Sequence, residues 1–171
     1  MNYHDIKKCD MLNGDGIRVS LWVSGCNHNC NQCQNPQTWN VNSGIPFDEE
    51  AEKELLEALE KNYISGITFT GGDPLHENNL ECVLNLVNKI RLLLPDKTIW
   101  LYTGYTLTEC LSHPTRQEII SKCDIIVDGR YVDELKDITL KWRGSSNQKI
   151  WEKRNGEWGI YKRNIAYGQE S

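Results

Sequence analysis

Ile67-Thr68-Phe69-Thr70-Gly71-Gly72-Asp73-Pro74 is the stretch on which the fold turns. Residues 67–70 are β-branched or aromatic, a strand signal. Two glycines, an acid and a proline then turn the chain sharply. Beyond the turn, Leu80, Val83, Leu84, Val87, Ile90 and Leu94 recur at helical spacing until Pro95 stops them. A further strand reads at residues 98–102, closed by Thr103-Gly104. Strand, helix and strand in that order make a right-handed βαβ unit with parallel strands.

The same alternation extends in both directions. Residues 17–24 are apolar and β-branched and read as a strand. Residues 27–46 are rich in Asn, Gln, Gly, Ser and Pro and read as a loop. Asp48-Glu49-Glu50 opens a helix whose buried face carries Ala51, Leu55, Ala58 and Leu59. Weaker helical signals cover residues 107–122, and residues 124–127 form a fourth strand ending in Asp128-Gly129. Residues 149–153 and 158–162 flank Asn155-Gly156, a hairpin signal. The expected fold class is α/β, with a mostly parallel sheet. A closed eight-unit barrel needs about 250 residues. The chain has 171, so an open partial (β/α) barrel with a C-terminal hairpin is expected. No repeat or linker divides it, and it reads as one domain over residues 1–171.

Ligands of such sheets sit at the carboxyl ends of the strands. Four turns fall at those ends: the loop after the first strand, Gly71-Gly72-Asp73, Thr103-Gly104 and Asp128-Gly129. The first is Gly25-Cys26-Asn27-His28-Asn29-Cys30-Asn31-Gln32-Cys33, with cysteines spaced C-x3-C-x2-C. Three thiolates can hold three irons of a [4Fe–4S] cube. The fourth iron then lacks a protein thiolate unless a distant cysteine supplies one. Cubes used only for electron transfer usually take four cysteines. An iron open to a ligand points to chemistry rather than electron carriage. Cys26, His28, Cys30 and Cys33 also make a nominal Cys₃His zinc set, and a non-enzymatic zinc module is the alternative from another class. Its spacing is compressed for the usual two-part knuckle.

Composition limits the other options. Nineteen Lys and Arg against 24 Asp and Glu give a formal net charge of −5, which disfavours a general nucleic-acid surface. No stretch approaches the roughly 20 apolar residues of a membrane span. An odd cysteine count with no apolar leader suits a reducing cytoplasm, where a tight cluster reads as metal-binding or catalytic. Cys9 is a rival fourth ligand, while Cys82 and Cys123 read as small buried hydrophobes. Cys110 stands alone. His28 is expected to bond the loop backbone. Trp142 and Trp151 are the best interface anchors among six tryptophans.

In its C-x3-C-x2-C loop after a first strand and its Gly-Gly-acid turn after a second, the chain resembles the radical S-adenosylmethionine superfamily. Within it, the chain is similar to the activating enzymes of anaerobic ribonucleoside-triphosphate reductase. The likeness rests on Asn13-Gly14-Asp15-Gly16-Ile17-Arg18, Trp22-Val23-Ser24-Gly25-Cys26, Asn35-Pro36-Gln37-Thr38-Trp39 and Thr70-Gly71-Gly72-Asp73-Pro74-Leu75. It continues through Trp100-Leu101-Tyr102-Thr103-Gly104-Tyr105, Val127-Asp128-Gly129-Arg130-Tyr131 and Trp142-Arg143-Gly144-Ser145-Ser146-Asn147-Gln148.

The resemblance implies an enzyme that activates the reductase by leaving a glycyl radical on it. It implies that Cys26, Cys30 and Cys33 hold a [4Fe–4S] cluster. That cluster reductively cleaves S-adenosylmethionine to methionine and a 5′-deoxyadenosyl radical. It implies cofactor contacts from Gly71, Gly72, Asp73 and Thr103. Gln32 stands where many members have an aromatic residue, so the adenine is expected against the backbone of Gln32, Cys33 and Gln34. Asp73 or a nearby carbonyl would accept from the cofactor's ammonium. Arg143, Gly144, Ser145, Ser146, Asn147 and Gln148 are expected to meet the reductase or close over the site, and a flavodoxin-type donor is implied. Activation of a different glycyl-radical enzyme is the nearest alternative. Asp128 is left between orienting a ligand and capping a helix.

Overall fold

The structure is a computed structural model that describes residues 1–162; residues 163–171 of the expected domain lie outside the described part. Eight strands are β1 (Asn2–Asp10), β2 (Arg18–Val23), β3 (Ile45–Pro46), β4 (Gly66–Gly71), β5 (Thr98–Tyr102), β6 (Ile125–Asp128), β7 (Lys149–Arg154) and β8 (Glu157–Ile160). Four helices are α1 (Glu49–Leu59), α2 (Leu80–Leu93), α3 (Leu107–Leu111) and α4 (Pro114–Ser121). All strands join one sheet in the order β3-β1-β2-β4-β5-β6-β7-β8.

The central strands β2, β4, β5 and β6 are parallel neighbours, as expected of consecutive βαβ units. The sheet as a whole is not mostly parallel, which corrects the sequence expectation. Four of its seven pairings, β1–β2, β1–β3, β6–β7 and β7–β8, are antiparallel. For two of them the reason lies in the connections. Parallel neighbours need a crossover of a dozen or more residues. The short links from β1 to β2 and from β7 to β8 cannot provide one. The expected barrel is not established either: β3 and β8 lie at opposite edges, leaving a single open sheet. The C-terminal hairpin is present, with Asn155 and Gly156 at its turn in positive φ. Among the described residues no helix is long and apolar enough to cross a membrane.

Side-chain alternation splits the sheet into two faces. Val19, Leu21, Ile67, Phe69, Ile99, Leu101 and Ile126 pack with Leu55, Leu59, Val83, Val87, Ile90 and Ile119 of the helices into the main core. The other face carries Arg18, Ser20 and Trp22 on β2, Thr68 and Thr70 on β4, and Trp100 and Tyr102 on β5. Their register brings Ser20 beside Thr68, Trp22 beside Thr70 and Thr68 beside Trp100. A smaller apolar cluster of Trp100, Ile125, Val127, Ile150 and Tyr161 lies there.

Local chemistry sets the helix limits. Asp48 caps α1 by accepting from the Ala51 N–H at 2.9 Å. The weak helical stretch over residues 107–122 is two helices, because Pro114 disfavours helical backbone at His113 and starts α4 at its first position.

Arg18 is the least ordinary core residue, at 1% exposed. Its Nε donates to Thr68 Oγ1 at 2.8 Å. Nη1 reaches Asp15 O and Thr98 Oγ1, and Nη2 reaches Ile67 O and Thr98 O, at 2.7–3.0 Å. One guanidinium thus ties the amino ends of β2, β4 and β5 together. Burial pulls its pKa down to about 10.

Candidate functional site

At the opposite, carboxyl ends of the parallel strands lies a cavity of about 460 Å³, in the usual range for ligand sites. Cys26, Cys30, Cys33, Gln34, Gly71, Gly72, Asp73 and Thr103 all line it. Arg143, Gly144 and Gln148 form another part of its wall. Gln32 does not line it: φ is +56° and the residue is exposed. Ser145 is buried, Ser146 is exposed, and Asn147 borders a second cavity that shares Gly104, Gly129 and Arg130 with the first.

Backbone hydrogen bonds seat the cysteine loop against the rim. Gly25 N donates to Thr38 O at 2.7 Å and Cys26 N to Trp39 O at 3.0 Å. On the other side Gly72 N donates to Val23 O at 2.8 Å and Asp73 N to Gly25 O at 2.7 Å. Both glycines are needed for this approach. Gly71 has φ +100°, and a Cβ there would stand 2.7 Å from Val23 N. A Cβ on Gly72 would stand 2.6 Å from Gly25 O. The turn read from sequence as a close approach to a ligand is therefore also a close approach of β4 to β2.

Asp73 is 1% exposed and its carboxylate is fully used. Oδ1 accepts from Leu75 N at 2.8 Å; Oδ2 accepts from Gly104 N at 3.0 Å and pairs with His28 Nε2 at 2.6 Å; Thr103 Oγ1 lies 3.0 Å from both oxygens. Four partners fill about four lone-pair positions. His28 therefore bonds a side chain across the site, not the backbone of its own loop. Its partner could not be read from a sequence separation of 45 residues. Buried Asn79 was also missed; it donates to Ser24 O at 2.8 Å and Asp73 O at 2.9 Å, joining the two turns.

Burial pushes the Cys26 thiol up to about 11 and raises Cys30 as well. Cys33 Sγ accepts from Asn35 N at 3.4 Å. Metal ligation would have to displace the protons from these thiols. Among the described residues no three His, Cys, Asp or Glu side chains converge closely enough to hold one metal ion. Three free thiols nevertheless line the same cavity. A cube spreads its thiolate ligands over separate irons and needs no single point of convergence, so this donor set suits a cluster better than one zinc ion. Two further atoms favour a ligand in the same space. Trp22 Nε1 and Tyr102 Oη are buried with no hydrogen-bond partner, and both residues line the cavity.

The rest of the expected site divides clearly. Asp128 Oδ2 accepts from Leu107 N at 2.6 Å, so its carboxylate caps the start of α3. Gln148 holds the loop before it, accepting from Gly144 N at 3.0 Å and donating to Gly129 O at 3.0 Å. Trp142 turns inward at φ +60° and packs edge-on to Trp100 at 5.0 Å, instead of standing out as an anchor.

Cys110 and Cys123 are buried, with thiols pushed up to about 12, whereas Cys9 is exposed and Cys82 half-buried. In metal-free protein at pH 8, iodoacetamide is expected to label Cys9 readily and to spare Cys110 and Cys123. Peptide mass spectrometry checks this; early labelling of Cys123 would contradict its placement in the core.

A family model described as a 4Fe-4S single cluster domain matches residues 12–151. The chain is 44% identical over 158 residues to the anaerobic ribonucleoside-triphosphate reductase-activating protein of Enterobacteria phage T4, covering 92% of this chain and 98% of that protein. It is 44% identical over 152 residues to the protein of the same name from Escherichia coli strain K12, covering 88% and 97%. The Pasteurella multocida protein of that name is 41% identical over 153 residues, covering 88% and 97%.

Proposed function

The chain belongs to the family of anaerobic ribonucleoside-triphosphate reductase-activating proteins and carries a 4Fe-4S single cluster domain, and on that footing we propose that it places a glycyl radical on such a reductase by reductive cleavage of S-adenosylmethionine. The observation that carries this reading is the meeting of three free thiols and a Gly-Gly turn in one cavity, with no fourth cysteine lining it among the described residues.

Cys26, Cys30 and Cys33 would hold the cluster, leaving one iron for the cofactor. When bound, the cluster supplies one electron for splitting the cofactor's sulfonium, the chemistry by which a hydrogen atom is taken from a glycine of the reductase. The remaining work belongs to the chain. Asp73 is already committed, so acceptance from the cofactor's ammonium falls to the backbone carbonyls of Gly71 and Gly72. Gln34 and Thr103 border the same space. Trp22 Nε1 and Tyr102 Oη offer donors one residue deeper along their strands. Trp22, Tyr102, Tyr131 and Trp142 give the cavity aromatic walls, which would help to keep water from a bound cofactor. Arg143, Gly144 and Gln148, which line the cavity, are the proposed meeting point with the reductase. A flavodoxin-type protein is the proposed electron source, in keeping with the family resemblance.

Anaerobic incubation with cognate reductase, reductant and S-adenosylmethionine tests this. The expected outcome is 5′-deoxyadenosine together with a glycyl doublet on the reductase by electron spin resonance. A cluster-loaded protein that produces neither would overturn the assignment. Trp22→Phe and Tyr102→Phe are each expected to raise KM for S-adenosylmethionine or for the reductase by roughly three- to tenfold, the worth of one hydrogen bond. Unchanged KM for both would show that these atoms meet no ligand.

A further inference from the structure

We infer that His28 and Asp73 form a clamp that positions the cysteine loop on the sheet, which makes His28 a positioning residue for the cluster although it is not one of the three thiolate ligands. The inference rests on the reading of Cys26, Cys30 and Cys33 as cluster ligands and adds a residue that the spacing of cysteines does not identify.

The geometry is specific. His28 lies two residues from Cys26 and two from Cys30, between the exposed residues Asn27 and Asn29. Its own side chain is turned inward and 5% exposed. Nε2 lies 2.6 Å from Asp73 Oδ2, and the Asp73 side chain is 1% exposed. The ring stands edge-on to Tyr105 at 4.6 Å between centroids. The Arg116 guanidinium covers that tyrosine at 3.8 Å. Space for the imidazole depends on Gly104, because a Cβ there would overlap the ring.

The other end of the clamp is rigid. Besides His28, Asp73 accepts from Gly104 N at 3.0 Å and Leu75 N at 2.8 Å, and its oxygens lie 3.0 Å from the Thr103 hydroxyl. These partners belong to the turn after β4 and the turn after β5. The middle of the cysteine loop is thereby tied to two neighbouring strand ends by one buried contact. The backbone bonds at Gly25 and Cys26 fix the start of the loop, and the His28 contact fixes its middle, between Cys26 and Cys30. Partners just outside a metal site commonly set ligand orientation in this way.

The test uses full-length protein reconstituted anaerobically with iron and sulfide. Iron per chain under chelator challenge, the spin resonance spectrum of the reduced cluster and its midpoint potential are read. His28→Ala is expected to lose the cluster roughly tenfold faster than wild type, with a shifted spectrum in the remaining fraction. His28→Gln places an amide N–H near the position of Nε2 and is expected to recover retention to within about threefold. Gly104→Ala, which displaces the ring, is expected to resemble His28→Ala. Thermal unfolding of the metal-free variants separates clamp from fold: His28→Ala should unfold within a few degrees of wild type, since His28 lies outside both apolar clusters.

Wild-type retention, spectrum and potential in His28→Ala would overturn the clamp while leaving the cluster reading intact. Failure of His28→Gln to recover would overturn it as well, pointing to a direct ligand through imidazole. A wild-type chain that assembles no cluster at all would overturn both.

Discussion

Cys30→Ala protein forms no detectable 5′-deoxyadenosine under reducing, anaerobic conditions: this is the largest effect expected of any single substitution. Cys30 is the middle of the three thiols, and on the proposed reading its loss would leave two ligands for a cluster that already has one iron open. Replacement from elsewhere in the chain is barred by position. Cys110 and Cys123 are buried, with thiols pushed up to about 12, Cys9 lies exposed on β1, Cys82 lies half-buried on α2, and none of the four lines the cavity. The fall should exceed about a hundredfold, the upper end of what losing a mere supporting partner costs. Iron and sulfide analysis should fall with activity. Product formation at the wild-type rate would mean that the cluster is held elsewhere.

Arg18→Met is expected to cost about 3 kcal/mol of folding stability, with little direct effect on the cavity chemistry. The substitution keeps a long apolar stem and removes five hydrogen bonds, to Thr68 Oγ1, Asp15 O, Thr98 Oγ1, Ile67 O and Thr98 O. Hydrogen bonds from a charged group contribute roughly 1.5–3 kcal/mol each, and acceptors left buried without a partner add to the loss. Relief of the cation's desolvation works the other way and is visible in the pKa pulled down to about 10. The net is therefore well below the sum of five bonds. For a chain of this size the expected fall in Tm is about 6–12 °C. A change under about 1 kcal/mol in chemical denaturation would show that the guanidinium only offsets its own burial.

The parallel centre was legible because β2, β4, β5 and β6 are buried on both faces and read as short apolar or β-branched runs between turns. β1 was not legible. Only Tyr3, Ile6 and Asp10 of its nine residues are buried, so no two-residue alternation marks it. The antiparallel pairings β1–β2 and β7–β8 follow from short connections, which determine direction only once the pairing is known; the long segment between β6 and β7 leaves their direction open. At the site, three cysteines and two glycines were legible because their spacing and backbone demands are local. The roles of Asp73 and His28 were not, because they depend on a contact made across the fold. Gln32 and Gln34 look equivalent in sequence. The positive φ at Gln32 accompanies its exclusion from the cavity, while Gln34 lines it. Trp22 and Tyr102 could be assigned to one face by alternation, but only the fold shows that this face is hollow above them.

The two apolar clusters have one consequence for how the protein is made. Neither contains Cys26, Cys30 or Cys33, so the apolar burial that holds the sheet and helices together does not involve the proposed cluster ligands. On the proposed reading, the metal-free polypeptide would take its shape first and receive inorganic sulfide and iron afterwards, and circular dichroism of metal-free protein checks this.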